Sequence, residues 1–466
     1  MDMKKAKTIN RRNLLKGTAA AASLGIIGST TRKAFAEESA STGSEKQSSP
    51  FHISTLDRTK EQLMEYAKTV PVIDCHQHLP PEKERLGTPV DALTLFSTYS
   101  RRDFESAGRS MEVNYTVPKV PLEKRWESIS PYLDDIRYLS HTRPIWITLK
   151  DIYGFDELND QNYIEVTEKI RANNTPGLYH RILRDRCNIK TCLVQPILSE
   201  GYRDDWEPSD ILTQIFSGYA AWRPHTPPFM QNISEMYDTE ITDLDIYLET
   251  VKKFLADLKK KGTAGFKTYA CHWTLTKPDM EQARKDFKEV LDGKPSTKLL
   301  EETIRDYIYK LAAEWDWTVS THGGGAYMDF RTFDPRTVIE VVMEHPETRF
   351  DLFHLGFPFA RQFIFIAKQF PNVTLNLCWC VLLSESITRQ SINEILDSVP
   401  VNKVIAFGGD YYMDVENVYG HLYMAREVIA EALSERIARG RIDLEDAKHV
   451  IKLWFHDNPT NIYRLT

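Results

Sequence analysis

The sequence predicts an α/β protein: a (β/α)8 TIM barrel with a long, mostly helical insertion after its first strand. Three observations carry that expectation. Short β-branched, apolar runs alternate with longer amphipathic stretches from about residue 71 onward, as in a parallel sheet with helical crossovers. Eight such runs occur, which favours a closed barrel over an open sheet. Histidine, lysine and aspartate recur where the runs end, and the C-terminal ends of barrel strands are where such folds place their chemistry.

In chain order the eight expected strands are Pro71–Cys75, Ile189–Val194, Ile215–Trp222, Gly265–Ala270, Trp317–Thr321, Phe350–His354, Val373–Cys378 and Lys403–Gly408. Between them, Leu244–Lys259, Lys298–Trp315 and Pro335–Met343 place apolar residues at helical spacing. About a hundred residues, 80–187, separate the first two strands. That is too long for a crossover, so the segment is expected to be an inserted lid or subdomain. It reads as helical, for example over Asn162–Ala172, and is punctuated by Pro118, Pro121, Pro131 and Pro144. The barrel domain is expected over residues 55–466.

The N-terminus reads differently. Asn10-Arg11-Arg12-Asn13-Leu14-Leu15-Lys16, a mild apolar run over Gly17–Gly28, and Ala34-Phe35-Ala36 form a basic region, an apolar region and a cleavage-site pattern. The paired arginines resemble a twin-arginine signal over residues 1–36. The resemblance implies contact with the twin-arginine export machinery, cleavage near Ala36 and a periplasmic location. Ser- and Glu-rich residues 37–54 read as a flexible linker.

Composition narrows the class further. With 42% hydrophobic residues and net charge −7, the 466-residue chain is of ordinary globular make-up and lacks the basic footprint of a nucleic-acid binder. No apolar run of about 18 residues exists, so no stable membrane anchor is expected. The partner is expected to be a small molecule, and homo-oligomerisation stays open. Three of the six cysteines, Cys75, Cys192 and Cys378, sit in strand-like apolar runs, where thiols behave as small hydrophobes; all six read as structural.

The most informative motif is Val72-Ile73-Asp74-Cys75-His76-Gln77-His78-Leu79. Residues i and i+2 of a strand share a face, so His76 and His78 can grip one divalent ion. Taken alone, the motif is as often a pair of packing histidines. Later strand ends add Lys267, His322 in His-Gly-Gly-Gly, His354 in His-Leu-Gly, and Asp410 in Phe-Gly-Gly-Asp-Tyr. This ordered set resembles the amidohydrolase superfamily, as does the closing segment Asn458-Pro459-Thr460-Asn461-Ile462-Tyr463. Within it, Tyr99 to Arg102, Trp222-Arg223-Pro224 and the long insertion resemble the uronate isomerases. The chain departs from that branch at His354-Leu-Gly, at His322-Gly-Gly and at Tyr411 after Asp410.

The residues suggest roles. His76, His78, His322 and Asp410 are expected metal ligands; imidazoles with a carboxylate suit Zn²⁺, or Mn²⁺, Fe²⁺ or Co²⁺. Bound metal would activate water, and Asp410 would take its proton and pass it to the leaving group. His354 would polarise a carbonyl or hold a second ion. Lys267 is a substrate-binding ammonium in a one-metal site, or a bridge between two ions if carboxylated; similarity to the mononuclear branch favours one ion. Arg223 and Arg102 are expected to clamp a carboxylate bidentately, and Trp379 to line the pocket. The leading expectation is an exported metal-dependent hydrolase acting on a small polar, carboxylate-bearing molecule. The alternatives are a uronate-isomerase-like aldose–ketose isomerase, a metal-dependent decarboxylase, and a binding protein without catalysis. The retained Asp410 argues against the last.

Overall fold

The computed structural model describes residues 51–96, 99–110, 112–195, 209–224, 229–269, 277–324 and 336–465. The expected export signal and residues 37–50 lie outside the described residues. A helix, Phe51–Thr69, begins inside the expected linker, so positions 51–54 are helical.

Eight parallel strands follow: β1 (Val72–Gln77), β2 (Ile189–Val194), β3 (in two parts, Leu212–Gln214 and Phe216–Ser217), β4 (Gly265–Tyr269), β5 (Thr318–His322), β6 (Arg349–Phe353), β7 (Val373–Asn376) and β8 (Val404–Ile405). Each pairs with the next in parallel. The Ile215 N–H bonds the Val194 carbonyl at 2.8 Å, which carries the ladder across the break in β3. Cys75 N–H donates to the Phe407 carbonyl at 3.1 Å and closes β8 onto β1. The fold is a (β/α)8 TIM barrel, as expected.

Two strands differ from the sequence reading. The third was expected over Ile215–Trp222, but it ends at Ser217, and Tyr219–Trp222 is a helical turn. The Gly218 N–H still reaches the Lys267 carbonyl at 3.1 Å, after which Ala221 and Trp222 N–H groups turn back to the Gly218 carbonyl. The eighth was expected over Lys403–Gly408 and is only two residues long, because Ala406 N–H donates to the Trp454 carbonyl instead of a strand.

Apolar residues divide between three clusters. Phe216, Phe266, Val319, Phe350, Leu352 and Val373 face outward under the helices. Ile73, Cys75, Leu193, Ile215, Ala264 and Ile405 face inward, joined from the C-terminal segment by Ile462 and Tyr463. The insertion has its own core, including Leu93, Phe96, Phe104, Trp126, Ile145 and Val166. It is built from short helices, with Tyr163–Asn173 standing one residue from the expected position.

The insertion is tied to the barrel at the β8 side. Arg85 is fully buried; its Nη2 donates to both Glu416 carboxylate oxygens (3.0 and 3.2 Å) and its Nη1 to Asn174 Oδ1 at 2.8 Å. Tyr153 Oη donates to the same carboxylate at 3.2 Å. The buried helix Asn417–Ala438 also passes so close to the insertion that a Cβ on Gly420 would lie 2.2 Å from the Pro144 carbonyl oxygen. Removing one member of a buried ion pair strands the other charge, at a cost of about 3–5 kcal/mol. Arg85→Ala is therefore expected to lower unfolding stability by about that much in a denaturant titration. A loss below about 1 kcal/mol would show that the pair does not anchor the insertion.

Candidate metal centre and active site

β1 delivers its histidines through an irregularity. Ile73 and Cys75 face the barrel interior, so strict alternation would send His76 outward to the helices. The register of β1 against β2 shifts between Asp74 and Gln77, and such a shift re-aims side chains. His76 reaches the mouth of the barrel, and His78 stands one residue past the strand end, its N–H donating to the Tyr411 carbonyl at 2.9 Å. Both imidazoles converge on one oxygen: His76 Nε2 lies 3.1 Å and His78 Nε2 3.2 Å from Asp410 Oδ1.

The later strands end in backbone turns of unusual shape. His354, Trp379 and Asp410 follow β6, β7 and β8 with φ of 60°, 62° and 61°. For side-chain-bearing residues this left-handed conformation costs on the order of 1–3 kcal/mol each, and it clusters at functional sites. It places three side chains at one end of the barrel. Trp379 packs against Tyr99 (ring centroids 4.7 Å apart) and His354 (5.8 Å).

Hydrogen bonds set the histidine tautomers. His78 Nδ1 is 3.2 Å from the Gln195 carbonyl and His354 Nδ1 is 3.1 Å from the Cys378 carbonyl. A carbonyl only accepts, so each Nδ1 carries the proton; His354, which burial keeps neutral, therefore has its lone pair at Nε2. His354 Nε2 then accepts from His322 Nδ1 at 3.2 Å and lies 4.0 Å from Asp410 Oδ2.

The electrostatics separate charge in a useful way. Burial and the Lys267 ammonium hold His76 well below the ordinary histidine range, so it is neutral. Burial pushes the Asp410 carboxyl up, but His76 and His78 outweigh it and hold it well below its ordinary range, so it is ionised. Burial brings His354 down to about 4 and Lys267 down to about 8. Lys267 Nζ stands 3.5 Å from His76 Nε2 and 3.8 Å from the Phe353 ring centroid. Neutral imidazoles and an ionised carboxylate are the donors a divalent ion takes. The ligand atoms of His76, His78 and Asp410 lie within 4.8 Å of one another, so the residues fit one ion.

Most of the sequence-predicted residues gather here: His76, His78, Lys267, His322, His354, Trp379 and Asp410. His322, expected as a ligand, contacts His354 and is not part of the three-residue cluster. The Arg102 side chain, on the helix Ser100–Ser106, is 62% exposed and pairs with Glu105. Tyr99, three residues earlier, reaches the centre, donating from Oη to Asp410 Oδ1 at 3.2 Å. Arg223 bonds Tyr219 Oη and lies 3.4 Å from Glu301, away from the three ligands in its described contacts. The sequence reading missed His141, which pairs through Nδ1 with Asp103 and sets its ring 5.7 Å from Trp379. Nothing in the sequence links two insertion residues 38 positions apart. His272 and Trp273, considered as pocket residues, lie outside the described residues.

A second concavity, of about 730 Å³, opens at the opposite end of the barrel, lined by Trp315, Trp317 and Tyr463 among others. Its arginines are engaged, Arg184 with Asp210 and Arg464 with Asp316. The convergent ligands, the strained backbone and the shifted ionisations all lie at the C-terminal end, so the chemistry is placed there.

This arrangement defines a barrel with a candidate divalent-metal centre at its catalytic face. Residues 246–465 match the family model described as Amidohydrolase. No curated protein sequence matches the chain. Among solved structures, a uronate isomerase from Thermotoga maritima is similar at TM-score 0.72 and 16% identity, over 87% of this chain and 97% of that one. A glucuronate isomerase from Caulobacter crescentus is similar at TM-score 0.71 and 16% identity, over 91% and 97%. A uronate isomerase from Bacillus halodurans gives 0.65 and 13%, over 88% and 97%. At such identities the structural likeness carries the fold alone. The segment matched by the amidohydrolase model, just under half of the chain, contains Lys267, His322, His354 and Asp410.

The purified protein is expected to hold one divalent ion per chain by elemental analysis, and His76→Ala and His78→Ala each to lower occupancy at least tenfold. Undiminished metal in either variant would remove that histidine from the centre.

Proposed function

We propose that this protein is an exported metal-dependent hydrolase of the amidohydrolase superfamily, acting on a small polar substrate. The convergence of His76 and His78 on Asp410 Oδ1 carries the reading. The three would hold one divalent ion, with zinc the expected metal for this donor set. When bound, the ion supplies a Lewis acid and lowers the pKa of water.

The chain's own residues do the rest. The ionised Asp410 carboxylate accepts a proton at the start of the reaction and returns it to the leaving group. Tyr99 Oη and the two histidines hold Asp410 Oδ1, so the proton is handled at Oδ2, on the side of His354. His354 carries its proton at Nδ1 and is committed to Cys378, which keeps Nε2 within the His322–His354 pair and steadies that wall of the pocket. Lys267 supplies a buried ammonium beside His76 for a substrate carboxylate or carbonyl oxygen. Trp379 and Tyr99 exclude water and present flat apolar surface to the substrate. Arg223 remains a carboxylate clamp under this reading only if the substrate extends to the β3 end of the mouth.

A second reading is aldose–ketose isomerisation of a uronate-like sugar acid. It is favoured by Tyr99, delivered to Asp410 by the insertion, since a phenol and a carboxylate side by side can move a proton between adjacent carbons. Three of the similar structures are named uronate isomerase or glucuronate isomerase. Metal-dependent decarboxylation would use the same Lewis acid.

One assay separates the readings. Zinc-loaded protein is incubated with small lactones, esters and amides, and separately with D-glucuronate and D-galacturonate, with products followed by NMR. Hydrolysis that falls at least a thousandfold in Asp410→Asn is the expected result. Conversion of the sugar acid without uptake of water would replace hydrolysis by isomerisation, and release of carbon dioxide would replace both.

A further inference from the structure

Gln77, the residue between the two histidines, is placed where the centre is held together. Its main chain serves β2: the Gln195 N–H donates to the Gln77 carbonyl at 2.8 Å. Its side chain serves the opposite neighbour. Nε2 donates to Asp74 Oδ2 at 2.5 Å, and Oε1 accepts the Tyr411 N–H at 2.8 Å. Asp74 in turn accepts the Gly409 N–H at Oδ1, 3.0 Å away, and the His76 N–H at 3.2 Å. Asp410 N–H donates to the His76 carbonyl at 2.8 Å. Three consecutive N–H groups on either side of Asp410 are thus captured by three different residues of β1: 409 by Asp74, 410 by His76 and 411 by Gln77.

The last of these is taken by a side chain. β8 ends as a regular strand at Ile405; beyond it single main-chain bonds join the two segments, Asp410 N–H to the His76 carbonyl and His78 N–H to the Tyr411 carbonyl, while the Tyr411 N–H goes to the Gln77 side chain. The Gln77 amide lies flat against Gly409: a Cβ built there would be 2.0 Å from Nε2 and 2.9 Å from Cδ. Asp74, Gln77 and Gly409 are each buried, with Asp74 and Gln77 at 0% exposure. Asp410 sits between the held groups with φ of 61°, a conformation that persists only where the surroundings over-determine it.

We propose that Gln77 is a positioning residue of the metal centre: its amide, bridging Asp74 and the Tyr411 N–H, holds the Asp410 carboxylate where His76 and His78 converge. The proposal rests on the reading of His76, His78 and Asp410 as metal ligands. Groups that orient ligands from behind typically account for 10–100-fold in metal affinity. The neighbouring glycine has a defined part in this device, since only a residue without Cβ leaves room for the amide.

The test is Zn²⁺ affinity of the full chain, measured by competition with a fluorescent chelator, alongside thermal unfolding of the metal-free protein. Gln77→Met, nearly equal in volume but without an amide, is expected to weaken Zn²⁺ binding 10–100-fold. Gln77→Asn keeps the amide but is one methylene too short to span both partners, and is expected to weaken it similarly; it decides the question if the methionine variant does not fold. Gly409→Ala should also weaken binding, by displacing the amide. In Gln77→Ala the added methyl has nothing to displace, so the double variant Gln77→Ala/Gly409→Ala should bind Zn²⁺ as Gln77→Ala does. Losses that multiply in the double variant, or Zn²⁺ affinity within twofold of the wild type in Gln77→Met or Gln77→Asn, would overturn the proposal. If the wild type itself binds no Zn²⁺, Mn²⁺, Fe²⁺ or Co²⁺, the metal-centre reading fails with it, and the two failures are told apart by that measurement.

Discussion

The seam between β8 and β1 is the constraint on which the rest of the structure depends. A barrel closes only if its last strand pairs with its first, and here that pairing passes within a few residues of the two histidines and the aspartate. The same backbone hydrogen bonds that close the barrel, Cys75 to Phe407 and Asp410 to His76, fix the distance between the histidines and the carboxylate. Barrel closure and ligand convergence are one event. A short β8 makes this possible: once Ala406 turns its N–H to Trp454, the chain from Phe407 onward is free to bend inward over the mouth.

Charge is organised around that seam. Burial disfavours every ionised group at the centre, yet Asp410 stays ionised because two imidazoles face it. Burial, joined by the Lys267 ammonium set against the Phe353 ring, keeps His76 neutral. Deeper in the barrel, Asp351, in register with Ser320 and next to it Lys267, has its carboxyl raised to about 7 by burial and shares hydrogen bonds with Asn376 and Tyr463. The interior below the centre is therefore polar on the β4–β6 side and apolar on the β1–β3 side. The insertion adds its own contribution from above, with Tyr99 on the carboxylate and His141 against Trp379. The Arg85–Glu416 pair clamps it to the segment that follows Asp410. The substrate-facing wall and the metal-facing floor are linked through residues 410–416.

Much of this was legible in the chain. The eight strands follow from alternating β-branched and amphipathic runs, because strand and helix periods differ and each buries a different face. His76, His78, His322, His354 and Asp410 stood out because each sits at the end of such a run, where a barrel exposes its chemistry, and Lys267 because it is a lysine within a short strand-like run. Tyr99 was legible only as part of a motif; its reach to Asp410 depends on where the insertion sets the start of the helix Ser100–Ser106, which no spacing in the chain records.

The sequence by itself determined the architecture and the cast of ionisable residues, since periodicity and strand-end position are local properties. Only the tertiary structure decided how they act together. Whether His76 faces the mouth depends on a register shift between two strands separated by the whole insertion. The convergence of two imidazoles on Oδ1 depends on the β8–β1 seam, and the pairings of His141 with Asp103 and of Gln77 with Asp74 and Tyr411 depend on backbone placed by distant segments. Such contacts leave no spacing rule in the chain, because what brings the partners together is closure of the barrel rather than their distance along it.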